Sequence, residues 1–268
     1  MPPSPLFGRL TEVGALVAAS PGLFLVSDFD GTLAPIVPVP EDASLPAASR
    51  RLLSEISALK DVTVAILSGR SLEDIRARVG LDGLTYGGNH GLEISGPGLD
   101  FIEPGAAEFE RTMGEIAASL TGALHRVSGV RVENKRWTLS VHLRGVEAAG
   151  VEEARRIVGR VVETVTPRLG RPVRLTEGRK VLEVRPRLDW DKGQAASFIG
   201  DRFAAPGALS ISLGDDVSDE EMFRALKDGI TVKVGSPEDT SAAFFVEGPS
   251  EVERFLGWLV ESIRVGGG

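Results

Sequence analysis

Residues 23–33 read "LFLVSDFDGTL", an apolar run that ends on two aspartates, Asp28 and Asp30, either side of a phenylalanine. A short, continuous apolar stretch is the mark of a strand buried on both faces, and in an open α/β sheet ligands sit just beyond the carboxyl ends of such strands. Two carboxylates that close repel each other, and burial makes either one harder to ionise. Something must compensate their charge. Strand alternation sends Asp28 and Asp30 to one side of the chain and Phe29 to the other, into the core.

Strand and helix signals alternate outward from this stretch, the pattern of a parallel sheet covered by helices. A helix opens at Pro46, and "VTVAIL" (62–67) is a second buried strand that ends at Ser68-Gly69-Arg70. Ser71 starts another helix with Asp74 as its capping partner. "LTYGGNHGLEI" (84–94) reads as a further strand and a glycine-rich loop. Between about 105 and 186 the texture changes to an αββαββ order, which suggests a separate layer built on an antiparallel sheet. After Pro186 the first texture returns with a helix from Lys192, the strand "ALSISLG" (208–214), the acidic loop "DDVSDEE" and a helix capped by Ser218 with Glu221. A last helix follows Ser250 with Glu253 as its cap. The expected fold is α/β: a Rossmann-like core from residues 1–104 and 187–268, interrupted by an α+β insert at 105–186.

Composition narrows the function classes. The chain has 268 residues, 42% of them hydrophobic, and a formal net charge of -8, which argues against nucleic acid or an anionic membrane as the main partner. It contains no cysteine, so disulfides, thiolate metal sites and cysteine nucleophiles are excluded, and three histidines leave little for a histidine-rich metal centre. "VGALVAAS" (13–20) is far shorter than the ~20 apolar residues a spanning helix needs. A soluble, cytoplasmic monomer is the expectation.

The polar residues that follow the buried strands form a set: Asp28 and Asp30, Ser68, Lys192, and Asp215 with Asp216. Taken singly, an aspartate after a strand is a turn or cap residue. Together these carboxylates, one hydroxyl and one ammonium suit magnesium-dependent phosphoryl transfer. Asp28 can attack phosphorus if a hard cation, held by Asp28, Asp215 and the backbone carbonyl of Asp30, screens the repulsion between two anions. Asp30 would protonate the leaving oxygen and later take a proton from water. Ser68 and Lys192 would hold the phosphoryl oxygens, with Asp216 and Asp219 orienting metal, water or Lys192. Asp219 could equally serve as a first-turn acid complementing a helix dipole.

"DFDGTL", "SGR", "DKG" and "GDDVSDEEMF", in that order, resemble the four motifs of the haloacid dehalogenase superfamily of aspartate-nucleophile phosphatases. The resemblance implies a Rossmann-like core, Mg2+ dependence and a covalent aspartyl phosphate at Asp28. Within the superfamily, "VENKRWTLSVHLR" (132–144), "GRKVLEVRP" (178–186) and "GGNHGLE" (87–93) resemble the trehalose-6-phosphate phosphatases, whose αββαββ cap closes over a sugar. That resemblance places sugar-hydroxyl contacts on Glu133, Lys135, Arg179 and Glu183, with arginine at 179 where lysine is usual. Thr32, Gly69, Arg70, Asn89, His90 and His142 complete the expected substrate-binding set. On the cap strands, alternation groups Arg179, Glu183 and Arg185 on one face, and sets Ser140 and His142 against Leu139, Val141 and Leu143. Glu133 with Lys135, and Arg179 with Glu183, could also be ordinary ion pairs on a solvated face. A sugar phosphate is the expected substrate. Trehalose 6-phosphate leads, ahead of glucosylglycerol, mannosylglycerate or sucrose phosphate, and a non-catalytic sugar-phosphate sensor is the alternative from another class.

Overall fold

A computed structural model describes residues 2–178 and 180–266. The first segment runs β1 (Ser4–Pro5), α1 (Leu10–Ala19), β2 (Leu23–Ser27), α2 (Ala47–Ser57), β3 (Val62–Leu67), α3 (Leu72–Val79), β4 (Thr85–Gly88), β5 (Glu93–Gly96) and β6 (Leu99–Ile102). The middle segment supplies α4 (Glu110–Leu124), β7 (Arg131–Asn134), β8 (Leu139–His142), α5 (Ala148–Leu169), β9 (Val173–Gly178) and β10 (Val181–Pro186). The last supplies α6 (Lys192–Phe203), β11 (Leu209–Gly214), α7 (Asp219–Ala225), β12 (Ile230–Val234), β13 (Phe244–Val246) and α8 (Pro249–Gly266). Two compact units result: residues 1–101 with 191–268, and residues 102–190.

In the larger unit the described strands form one sheet in the order β1-β13-β12-β11-β2-β3-β4-β5-β6. Neighbours from β1 across to β4 are parallel, and β5 pairs antiparallel with β4. β2 lies at the centre, with β3 from its own segment on one side and β11 from the far segment on the other, so its carboxyl end is the topological switch point. Every residue of Leu23–Ser27 is buried, as a strand covered on both faces requires. Phe29 is fully buried within the same apolar cluster as Leu25, Ile66, Leu213 and Phe255.

Local signals set the starts of α3 and α6. Ser71 Oγ accepts from the Asp74 amide at 3.3 Å, and α3 stops at Gly80 in the left-handed region. Asp191 caps α6 by accepting from the Gln194 amide at 2.9 Å, which fixes Lys192 as the first helical residue. Two expected caps are replaced. Ser218 makes no side-chain cap, and the Asp219 carboxylate instead reaches back to accept from the Asp216 amide at 2.9 Å. Glu253 accepts instead from Ser49 Oγ at 3.0 Å, stitching α8 to α2.

The smaller unit carries an antiparallel sheet in the order β7-β8-β10-β9 and its own apolar core. Met113, Ile116 and Leu120 of α4 and Val158 of α5 pack with Leu139, Val141, Leu182 and Val184. The cross-strand row Glu133, Ser140, Glu183, Thr176 occupies the opposite face, as alternation requires.

Candidate active site

The chain turns sharply after β2. Asp28 N–H continues the ladder to Leu213 O at 2.9 Å, and the amides of Leu33 and Ala34 both return to Phe29 O. Gly31 sits at φ +86, where a Cβ would approach Asp215 Oδ2 to 2.2 Å, so glycine lets this turn lie against the Asp215 carboxylate without displacing it. Three carboxylates converge there: Asp28, Asp215 and Asp219 offer oxygens within 4.8 Å of one another.

Lys192 reaches into the cluster from the first turn of α6. Its Nζ donates to Asp28 Oδ1 at 2.6 Å and to Asp219 Oδ1 at 2.5 Å, and it is 1% exposed. Burial alone would discharge this ammonium, yet Asp219 and Asp28 hold its pKa above the ordinary lysine value. Burial drives Asp28 well above the ordinary carboxyl value, with Lys192 opposing and Asp219 and Asp215 reinforcing. Asp215 is pushed up to about 7, first by burial and then by Asp219 and Asp216, against the pull of Lys192 and Lys233. The two lysines therefore leave the cluster of Asp28, Asp215, Asp216 and Asp219 short of positive charge. Asp219 is already engaged by Lys192 and the Asp216 amide, whereas the Asp215 carboxylate meets Thr32 Oγ1 at 3.5 Å. Hard oxygen donors with unmet charge fit a divalent cation, held chiefly by Asp28 and Asp215.

Asp30 goes elsewhere. Its carboxylate is gripped by Arg70, Nε to Oδ2 at 2.6 Å and Nη2 to Oδ1 at 2.8 Å. Arg70, expected to face substrate, also donates to Asp74 Oδ2 at 2.7 Å and to Pro40 O at 2.8 Å. Ser68 closes the same loop through its Oγ, which accepts from the Arg70 amide at 3.2 Å, and Gly69 lies between them. The amides of Asn89 and His90 bond to Arg70 O and Ser68 O at 2.6 and 2.8 Å. Both residues are buried at positive φ, and the Asn89 amide donates to Glu93 Oε1 at 2.7 Å. Asn89 and His90 thus brace the Ser68–Arg70 loop from behind. Gly88 makes this possible, since a Cβ there would lie 2.2 Å from Leu72 N.

In the smaller unit, Lys135 Nζ donates to Glu183 Oε1 at 3.3 Å and Ser140 Oγ to the same atom at 3.4 Å. His142 Nε2 meets Glu133 Oε2 at 2.7 Å, and this hydrogen bond, against burial, keeps Glu133 below its ordinary carboxyl pKa. Arg179 lies outside the described residues. Two supporting contacts go beyond the sequence reading, which gives Glu221 only as the capping partner of Ser218. Lys233 Nζ donates to Asp215 O at 2.6 Å, and Glu221 accepts from the Lys192 amide at 3.1 Å. A lysine inside the buried strand "ITVKV" was the available signal for the first.

The sheet order and the acidic cluster at its carboxyl edge define the class. The fold is that of a haloacid dehalogenase-like hydrolase, and it matches one from Bacteroides thetaiotaomicron with a TM-score of 0.61 at 17% identity, covering 89% of this chain and 99% of that chain. Residues 26–250 match the family model for trehalose-phosphatase. The chain is 36% identical over 265 residues to the "probable trehalose-phosphate phosphatase 4" of Oryza sativa subsp. japonica, covering 94% of this chain and 70% of that protein. It is 37% identical over 258 residues to the trehalose-phosphate phosphatase of Mycobacterium marinum, covering 92% of this chain and 63% of that protein. Its fold also matches the C-terminal domain of the C. albicans trehalose-6-phosphate phosphatase, with a TM-score of 0.82 at 20% identity over 97% of this chain and 98% of that one. The chain belongs to the trehalose-phosphatase family, whose members are phosphoric monoester hydrolases.

Two outcomes follow from the charge arrangement. Lys192→Met leaves buried carboxylates without their counter-ion and should destabilise the protein by ~3–5 kcal/mol in denaturant unfolding. The same change in an Asp28→Asn background should cost clearly less, and equal costs would show that the pair does not interact. Asp74 has its pKa lowered, burial opposing but hydrogen bonds from Arg78 and Arg70 prevailing. Its contribution is therefore present above the ordinary carboxyl value of 3.8 and lost as pH falls through the depressed one. Asp74→Asn should lower stability at pH 7 and converge with wild type in acid; a gap that is independent of pH would contradict this.

Proposed function

We propose that the chain is a Mg2+-dependent phosphatase that converts trehalose 6-phosphate to trehalose and phosphate through an aspartyl phosphate on Asp28. The observation that carries the chemistry is the Lys192 ammonium set between Asp28 and Asp219 beside Asp215. Family membership carries the substrate.

Asp28 attacks phosphorus, a bond forms between its carboxylate oxygen and phosphorus, and the bond to the sugar oxygen breaks. Asp30 gives its proton to that leaving oxygen. In the second half Asp30 takes a proton from water, which attacks phosphorus and restores the Asp28 carboxylate. Lys192 and Ser68 hold phosphoryl oxygens, and Lys192 stays in place because Asp219 anchors its other side. Mg2+, bound through Asp28, Asp215 and the Asp30 carbonyl, would screen the repulsion between the entering carboxylate and the phosphate. In the inserted unit Glu133, Lys135, His142, Arg179 and Glu183 are assigned to sugar hydroxyls, a role suited to the face of its sheet that Glu133, His142 and Glu183 share.

The test is phosphate release from a panel of trehalose 6-phosphate, sucrose phosphate, glucosylglycerol phosphate, mannosylglycerate phosphate and p-nitrophenyl phosphate. Trehalose 6-phosphate should be preferred by at least about tenfold in kcat/KM, chelation should abolish turnover, and Asp28→Asn should reduce it by about 10³-fold or more. Hydrolysis of trehalose 6-phosphate no faster than p-nitrophenyl phosphate would overturn the substrate. Unchanged release by Asp28→Asn would overturn the mechanism.

A further inference from the structure

An arginine that binds phosphate or sugar needs its planar fork turned toward the ligand. Arg70 presents its fork to the protein. Of the five N–H groups a guanidinium carries, one goes to Asp30 Oδ2, one to Asp30 Oδ1, one to Pro40 O and one to Asp74 Oδ2. The guanidinium is 5.7 Å from the Phe29 ring centroid, so the residue between the two aspartates also steadies it.

The grip extends outward. Asp74 Oδ2 also accepts from Arg78 Nε at 2.7 Å, and Arg78 Nη1 donates to Glu41 O at 2.9 Å and Ala43 O at 2.6 Å. Asp30, the Ser68–Ser71 loop, the first turn of α3 and residues 40–43 are thereby joined in one chain of charge-assisted bonds. The Asp30 side chain is 35% exposed against 13% for Arg70, so without the fork the carboxyl would be free to rotate toward solvent.

We propose that Arg70 is a positioning residue for Asp30: its two-pronged grip holds the carboxylate, one prong stays on the carbonyl oxygen and aims the group when the other oxygen carries the proton for the leaving oxygen, and Asp74 and Arg78 hold the grip in place. This rests on the reading of Asp30 as the acid and base of the reaction. Aim matters most where proton delivery is essential. A sugar alkoxide leaves only with a proton, whereas p-nitrophenolate leaves without one. A phosphate ligand would serve both esters alike.

The experiment compares kcat/KM, which reports steps through departure of the leaving group, for trehalose 6-phosphate and p-nitrophenyl phosphate. Wild type, Arg70→Gln, Arg70→Lys, Asp74→Asn and Asp30→Asn are measured, each checked for folding by circular dichroism. A positioned acid contributes about 10²–10⁴-fold, so Arg70→Gln should lower the sugar ester by roughly 30-fold and the aryl ester by less than about threefold. The loss should lie in kcat, with KM nearly unchanged. Arg70→Lys and Asp74→Asn should show the same selectivity in smaller measure, and they carry the test if Arg70→Gln does not fold. Equal losses on both esters, or a raised KM with kcat kept, overturn the proposal. Asp30→Asn separates the two readings. It should show the largest selectivity of all, and if it shows none, the assignment of Asp30 fails and takes the proposal with it.

Discussion

The buried ammonium of Lys192 is the interaction on which the rest of the site depends. It joins residues from opposite ends of the chain, Asp28 after β2 and Asp219 at the start of α7, 164 and 27 positions away. Both carboxylates are buried, so each would cost several kcal/mol to ionise without a partner. Lys192, even with Lys233 nearby, does not balance the three carboxylates and Asp216, and that shortfall of positive charge makes the cluster receptive to a divalent cation. The surrounding geometry serves to hold these groups in place. Asp191 caps α6 so that Lys192 begins it, Glu221 accepts the Lys192 amide, and Gly31 and Gly193 allow the backbones to close in.

The two aspartates of "SDFDGTL" are separated by their partners as much as by their spacing. Asp28 is buried with a lysine and two acids, and Asp30 is half-exposed on a guanidinium fork. These surroundings suit the proposed roles, since a nucleophile that works at phosphorus must be held close to counter-charge, and a group that passes protons must reach solvent and leaving oxygen in turn. Alternation about Phe29 keeps both on one side of the chain while the ring anchors the turn in the core.

The core of the fold and the polar residues that meet at the carboxyl edge of its sheet were legible because several strands each end on a chemically distinctive residue. A run such as "LFLVS" is buried on both faces and can only be a central strand, and the ordered motifs placed Ser68, Lys192 and Asp215 around it. Partner choice was less legible. No local pattern says that Arg70 turns back onto Asp30, or that Asn89 and His90 adopt positive φ to brace its loop, because these depend on segments 40 and 20 residues apart folding against each other. The caps at Ser218 and Glu253 were replaced by other bonds. The Glu253 carboxylate is taken by a tertiary partner, Ser49, and near Ser218 a competing local bond from the Asp216 amide to Asp219 orders the turn instead.

The central claim is that Asp28 becomes phosphorylated. Rapid mixing with substrate carrying radiolabelled phosphate, quenched in acid within the first turnover and followed by peptide mapping, reads it directly. Label should appear on the peptide containing Asp28, be released by hydroxylamine as an acyl phosphate is, and be absent from Asp28→Asn. Phosphate released in the burst with no label on protein at any time, or label on a different residue, would contradict the account.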